Sequence, residues 1–455
     1  MTQNNNSFVR DKMEVALAPP ISEAGITGWM KKNLFSSPFN TVLTLIGAYL
    51  IYLIVPPLLE FSFFDAVWSG TDRNACTTEQ QGGALPNGWH AACWPYIGAY
   101  MQFFTFGRYP DAELWRPIFL FVLFFAGLIP LMMPTAPYKR FNMIFMLLVY
   151  PVLAFILLGG GNVKLNGFLL PESIMAPSEF KFWVDFAILT AVVLGIVLLM
   201  QILTKTDPIL PLLVALGIMV VIGLVMFFMS ADFGLHEVET DNWGGLLLTL
   251  VIAVTGIAAS LPIGIVLALG RRSEMPTVRL LSVIFIEFWR GVPLITVLFM
   301  SSVMLPLFLP EGVNFDKLLR ALIGVGLFSA AYMAEVVRGG LQAIPKGQFE
   351  GAMAVGLSYW QSMRMIILPQ AIKIVIPGIV NTFIGLFKDT TLVSVIGLFD
   401  LLGAINNSHT DSSWATPVMA LTSYLFCAVI YFVFCFAMAR YSLFMERQLD
   451  TGHKN

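Results

Sequence analysis

The chain reads as an all-α integral membrane protein with about ten transmembrane helices, and three observations predict it. Only 12% of its 455 residues are charged and 57% are hydrophobic, whereas soluble domains carry about 25% charged residues. The mean hydropathy is +0.79. The apolar residues also gather in long runs, such as Thr41 to Phe64 and the stretch from Ile209. A soluble core of this size would need a charged shell that the composition does not supply, so lipid is the expected solvent of the outer surface.

A helix crosses the hydrocarbon core with roughly 20 apolar residues. That rule predicts spans at 41–63, 117–134, 141–158, 182–203, 208–229, 244–269, 279–309, 317–337, 374–403 and 415–443. The segments 279–309 and 374–403 exceed a straight crossing and contain polar or helix-breaking residues, so bent or interrupted helices are expected there. Orientation follows from Lys and Arg in the short connections. With both termini cytoplasmic, the inner side receives Lys31, Lys32, Lys139, Arg140, Lys205, Arg271, Arg272, Lys346, Arg440 and Arg447. The outer loops then hold Asp65, Asp72, Glu79, Asp111, Glu237, Glu239, Asp241 and Glu311, with basic residues chiefly at Arg73, Arg108, Arg116, Lys164 and Lys181. The reverse orientation would put the densest basic clusters outside. The polar first forty residues lack a short apolar segment with a small-residue cleavage site. No removable signal peptide is therefore expected, and the first span stays as an anchor.

The predicted organisation is a cytoplasmic N-terminal segment over 1–40, accessory transmembrane helices over 41–235 with a periplasmic loop at 64–116, a core over 236–445 with an inner loop at 338–373, and a cytoplasmic tail over 446–455. Within the first segment, Ile26, Trp29, Met30, Leu34 and Phe35 beside Lys31 and Lys32 fit either a short helix on the membrane surface or a disordered tail. Trp68, Trp89, Trp94 and Trp115 of the periplasmic loop are expected to mark the membrane interface rather than a ligand site. Cys76 and Cys93 share that loop and can pair if it lies outside the cytoplasm. Cys427 and Cys435 read as packing residues, and four cysteines are too few for a disulfide scaffold or a metal cluster. Spans of the first half carry almost no intramembrane charge and look lipid-facing. Charged, Gly and Pro residues gather in and beside the spans after about residue 240, where functional residues are expected.

In the inner loop, residues 350–355 are mostly small and helix-compatible, and Gly356 reads as a bend. Small residues let another surface approach the backbone, and Glu350 offers a charge. A docking handle for a soluble partner and an ordinary surface loop both fit. Glu350, Ala352, Gly356, Ile366, Leu368 and Pro369 match E-A-A-x3-G-x9-I-x-L-P, the EAA motif, and in this the chain resembles the permeases of ABC importers. Gly351 stands where the motif usually has Ala, which keeps the position small and weakens the helix. The resemblance implies that 236–445 is an ABC permease core of the type I importer, MetI-like kind. It also implies that Glu350, Gly351, Ala352 and Gly356 form a coupling helix seated in a groove of an ATPase.

Lys388 lies about 20 Å along the helix from Ile374, well inside a roughly 30 Å hydrocarbon core. Lys388 and Asp389 must there pair or line a wet cavity. With Asn381, Thr390 and Thr391 beside them, they fit an interrupted helix that meets the ammonium and carboxylate of a substrate, or a buried pair that pins a helix break. Glu287 and Arg290, three apart on one helix face, are expected to pair, and Gly291 and Pro293 to break the helix after them. Glu335 and Arg338 repeat the spacing at the inner end of another span, where snorkelling charge is the simpler reading. These four are read as a gate or ion pair.

Glu287-Phe-Trp-Arg290-Gly-Val-Pro, Tyr332-Met-Ala-Glu335-Val-Val-Arg338-Gly-Gly and Lys388-Asp-Thr-Thr-Leu392 resemble signatures of polar amino-acid permeases, usually RGTP, AEIxRGG and KDTSL. Val292 and Thr391 depart from that pattern. Val238-Glu-Thr-Asp-Asn-Trp243-Gly-Gly, Gly270-Arg-Arg-Ser273 and Phe106-Gly-Arg108-Tyr-Pro are similar to the second permease subunit of general L-amino acid and glutamate/glutamine/aspartate/asparagine systems. That group is expected to have fewer spans before its core, which leaves about 168–230 as an extra helix pair.

No Gly-rich phosphate loop of the G-x4-G-K-S/T type is present. The chain is therefore read as a translocation subunit, not an enzyme, with no cofactor of its own; ATP and Mg would be bound by a partner ATPase. The resemblance implies as partners a second homologous permease, an ATPase subunit dimer and a periplasmic amino-acid-binding protein, besides the lipid bilayer and without nucleic acid. The location implied is a bacterial inner membrane, and the substrates are polar or acidic amino acids and their amides. A secondary transporter driven by an ion gradient also uses broken helices and midplane charge. It would show an internal repeat, which the two halves lack, and has no reason to keep the EAA spacing. A membrane-embedded enzyme needs a catalytic constellation, yet His90, His236, His409 and His453 lie outside the predicted spans without metal-ligand spacing.

Overall fold

Long apolar runs leave the backbone one economical solution in lipid, which is to satisfy its own hydrogen bonds within helices. The structure, a computed structural model, describes residues 25–163, 165, 167, 169–170, 173–204, 209–308 and 316–449. Lys164, Lys205, Glu311, His453 and residues 1–24 lie outside the described residues. Among those described, nine helices are long and apolar enough to span a membrane, and a bent pair makes a tenth. Regular structure there is helical, apart from isolated backbone bridges.

Two compact units form. The first runs through Pro95 and includes Thr416–Thr422. Helix α1 (Gly25–Asn33) occupies the stretch for which helix and disordered tail were both open, with Ile26 and Trp29 exposed. Helix α2 (Pro38–Phe64) starts where the Ser37 hydroxyl accepts from the Asn40 amide at 3.2 Å and Pro38 takes the first helical position. The loop after it folds on its own polar groups. Trp94 Nε1 donates to the Ser62 carbonyl and Trp89 Nε1 to that of Asp65, both at 2.9 Å. Trp68 stacks on Trp94, and Cys76 and Cys93 form a disulfide.

The second unit holds Tyr96–Ala415 and the chain from Ser423. After α3 (Trp94–Ala99) and α4 (Met101–Phe106) come α5 (Asp111–Met132), α6 (Lys139–Gly159), α7 (Glu179–Ile202) and α8 (Ile209–Ser230). Of these, α5 and α6 are not merely lipid-facing. Leu120 and Leu158 enter the same buried cluster as Leu247, Ile252, Leu298, Val325 and Leu386. Charge is buried here as well, contrary to expectation. Arg116, 1% exposed, pairs with Glu113 at 2.8 Å and donates to the His236 carbonyl at 2.8 Å. Lys181 and Asp185 are also buried, and Asp185 accepts from the Leu169 amide at 2.8 Å. These groups sit at span ends, where a count of charges per apolar run does not register them.

The rest of the unit is built around α9 (Gly245–Arg271) and α12 (Lys317–Ala343), which pack on each other. Small residues set the spacing of α12 from α9 and from the later helix that carries Ala371. A Cβ on Gly264 would meet Met333 Cγ at 2.7 Å, and one on Gly340 would meet the Ala371 carbonyl oxygen at 2.5 Å. Between α9 and α12 lie α10 (Pro276–Gly291) and α11 (Leu294–Phe308), bent by 101° at Val292 and Pro293, as Gly291 and Pro293 predict. Next come α13 (Lys346–Ala354), α14 (Tyr359–Ile396), α15 (Leu401–Ser408) and α16 (Met419–Leu449).

Two predicted boundaries move. The inner connection 338–373 is largely helix, because α12 runs on to Ala343, α13 follows, and α14 starts at Tyr359 rather than near 374. Polar residues such as Arg364 and Lys373 hid that start from an apolar-run rule. They are exposed, while Met363, Ile367 and Ala371 bury the opposite face at helical spacing. At the other end, Gly397 at φ 77° separates α14 from α15, so the span ends at Ile396 and the interruption expected within 374–403 is present.

Candidate functional site

Three features of the second unit carry the residues singled out from the sequence. The first is an ion network. Glu335 on α12, with a side chain 16% exposed, is a shared acceptor. Arg338 reaches it at 2.7 Å, Arg271 at 2.8 Å and Arg290 at 3.7 Å. Arg271 also holds Glu287 at 2.9 Å. The expected Glu287–Arg290 pair is thus replaced by partners on other helices. Glu287 turns to Arg271, the last residue of α9, and Arg290 lies over the Tyr332 ring and reaches Glu335. The i, i+3 spacing made the local pair available, but α10 ends one residue later at Gly291 and the neighbouring helix offers a closer cation. One carboxylate with three guanidiniums ties α9, α10 and α12 together at one end. Such a network stiffens the helix ends while intact and releases them when one partner leaves.

The second feature is α13 with its flanks. Pro345 precedes it, and Gly356 at φ 76° ends it, with the Gly356 amide on the Met353 carbonyl at 2.9 Å. Ser358 and Gln361 then form a capping box that starts α14. Ala352 is buried, whereas Glu350, Gly351 and Met353 face out. Val355 is 71% and Trp360 69% exposed. The helix is nevertheless anchored. Arg272 at the end of α9 donates to the Leu341 carbonyl at 3.1 Å and stacks over Phe349 of α13. Gln370 of α14 donates to Gln348 of α13 at 3.1 Å. Helix α13 is thus tied by side-chain contacts to α9 and α14, and Arg272 links it to α12. Arg271 and Arg272 entered the sequence reading as orientation charges and within the Gly270-Arg-Arg-Ser273 resemblance, without a partner assigned to either. Their place at the very end of a span, next in the chain to α10, was the available signal.

The third is the face of α14 with Pro377, Asn381, Gly385 and Lys388. Pro377, Asn381 and Lys388 are exposed. Asp389 is half-buried, and no ion pair joins it to Lys388 among the described residues. Neighbours in a helix project about 100° apart, so the two charges point to different sides. At Thr390 the α-helix tightens into a 3₁₀ turn that lasts to Ile396. Thr390 is buried with its hydroxyl on the Phe387 carbonyl at 2.8 Å, and the Thr391 hydroxyl donates to the Lys388 carbonyl at 2.9 Å. Both hydroxyls thus serve the helix end. Among the described residues no cluster of His, Cys, Asp and Glu could hold a metal.

The family of the binding-protein-dependent transport system inner membrane component matches residues 260–450. An inner membrane amino-acid ABC transporter permease protein of Escherichia coli K12 is 42% identical over 424 residues, 93% of each chain. A glutamate/glutamine/aspartate/asparagine transport system permease protein of Rhodobacter capsulatus is 42% identical over 469 residues, 99% of this chain and 100% of its own. A solved structure of an amino acid ABC transporter with histidines shares 30% identity, covers 45% of this chain and 92% of its own, and superposes with a TM-score of 0.40. The chain belongs to the amino-acid ABC transporter permeases, multi-pass proteins of the bacterial inner membrane.

Proposed function

We propose that this permease forms the pathway of an ATP-driven importer for polar or acidic amino acids and their amides, with both termini in the cytoplasm. The observation that carries the reading is the open face of α13. A helix anchored on its Ala352 side that leaves Glu350, Met353 and Val355 bare needs a partner surface. An ATPase dimer, binding ATP and Mg, is the partner that the EAA spacing implies. Its closure would push α13 and, through Arg272 and Gln370, move α9 and α14. A second homologous permease would cover the Asn381 and Lys388 face of α14, and substrate released by a periplasmic amino-acid-binding protein would pass along it. The Glu335 network would act as the inner gate. The substrate class rests on the near full-length identity to the Rhodobacter capsulatus permease.

The test is reconstitution with the companion permease and ATPase in liposomes. Binding protein plus glutamate should stimulate ATP hydrolysis, and Glu350→Ala or Gly356→Asp should remove the stimulation. Uptake by the chain alone under an ion gradient, with no ATPase attached, would overturn the reading.

A further inference from the structure

At the end of α9 opposite Arg271, about 40 Å away by helical rise, lies an open cavity of about 530 Å³ between the end of α6, residues 237–243 and the first turn of α12. Ligand sites for small molecules fall in the range of roughly 300–1,000 Å³. Its charges do not balance internally. Asp241 is already paired with Lys317 at 3.5 Å, and Asp316 caps α12 by accepting from the Leu319 amide at 2.9 Å. Glu237 and Glu239 are exposed and have no ion-pair partner among the described residues. Trp243 and Arg320 line the same cavity, 5% and 8% exposed. The indole Nε1 and the guanidinium Nε of these two have no hydrogen-bond partner among the described residues. Buried donors without acceptors are rare in native proteins and call for an oxygen from outside the chain.

Unpaired carboxylates and orphaned donors in one cavity ask for a ligand that carries a cation and an anionic oxygen together. We propose that the cavity binds a free α-amino acid as its zwitterion, the ammonium toward Glu237 and Glu239 and the carboxylate toward Trp243 and Arg320. The side chain is left to the remaining volume, so recognition is of the backbone group common to all amino acids. The site is separate from the α14 face and does not rest on that face being the pathway.

The experiment is equilibrium binding of radiolabelled L-glutamine to the full-length permease in lipid nanodiscs, with no ATPase or binding protein. Saturable binding is expected, displaced by other L-amino acids but not by propylamine or acetate, which carry one charge each. The double substitution Glu237→Gln and Glu239→Gln should weaken it at least tenfold, and Trp243→Phe, which removes only the N–H from a similar ring, about threefold. Should Trp243→Phe misfold, the exposed glutamates carry the test alone. Absence of saturable binding, binding unmoved by the double substitution, or propylamine competing as well as L-glutamine would each overturn the proposal. Uptake by the assembled transporter is measured in parallel. Uptake without binding here sinks the cavity site alone, and binding without ATP-driven uptake sinks the transport reading alone.

Discussion

Glu335 accepts hydrogen bonds from Arg271 and Arg338 and forms an ion pair with Arg290, three arginines from three helices, and its position shows how one carboxylate can hold an assembly. Removing it leaves Arg271, Arg290 and Arg338 facing one another with Glu287 as the remaining counter-charge in the network. The arginine partners of Glu335 are 25–36% exposed, so solvent screens the pairs and the cost falls below the roughly 3 kcal/mol of a fully buried pair. Glu335→Ala should therefore lower the thermal midpoint of the purified protein by several degrees and abolish uptake. Arg271→Lys should do less. Both carboxylates are held by one nitrogen, Nη1, so an ammonium keeps the charge between them and loses mainly the reach and the fixed direction of the guanidinium. A melting curve equal to wild type for Glu335→Ala would show the network to be solvated surface charge.

At the scale of elements, α13 departs from its motif at Gly351, and the structure explains why this is tolerated. Nothing lies within 4 Å of a Cβ built there, so crowding does not require glycine at this position. Gly351→Ala should stabilise α13 by about 0.8–1 kcal/mol and leave ATP hydrolysis coupled to uptake, as the ratio of the two rates will show. Gly356 differs, since its φ of 76° lies in the left-handed region that disfavours side chains, β-branched ones most. Gly356→Val should strain the turn by about 1–3 kcal/mol and leave hydrolysis that no longer drives uptake. Where α12 crosses α14 the constraint is contact: a side chain at Gly340 meets the Ala371 backbone. Gly340→Leu should separate the helices, cost about 1–3 kcal/mol and lower the thermal midpoint.

At the scale of the molecule, each unit is held by a different device. The first closes its loop with the Cys76–Cys93 disulfide, which spans 17 positions. Cross-linking a loop of that size removes about 3 kcal/mol of denatured-state entropy in the chain-entropy account. Cys76→Ser with Cys93→Ser should open the 64–93 region to proteolysis while the melting of the second unit, followed separately, changes little. A common shift of both transitions would contradict that division. The second unit is held by small-residue helix packing, with Gly264 and Gly340 where α12 meets its neighbours.

By itself the sequence determined the class, the number of crossings, the bend at Gly291 and Pro293, and the family. Each of these is local or is averaged over some twenty residues, and lipid tolerates few alternatives for an apolar run. It also singled out Glu287, Arg290, Glu335 and Arg338 as a gate or ion pair, with snorkelling charge as the alternative. Which charge pairs with which was decided only in three dimensions. Arg271 lies 16 residues from Glu287 and 64 from Glu335 in the chain, and no spacing rule reaches that far. The helical course of 338–373 was hidden for a related reason, since exposed polar residues mask a helix that buries just one face. The tertiary structure likewise placed Glu237, Glu239, Trp243 and Arg320 around one cavity, because α6, the 237–243 stretch and α12 meet only once the fold is complete.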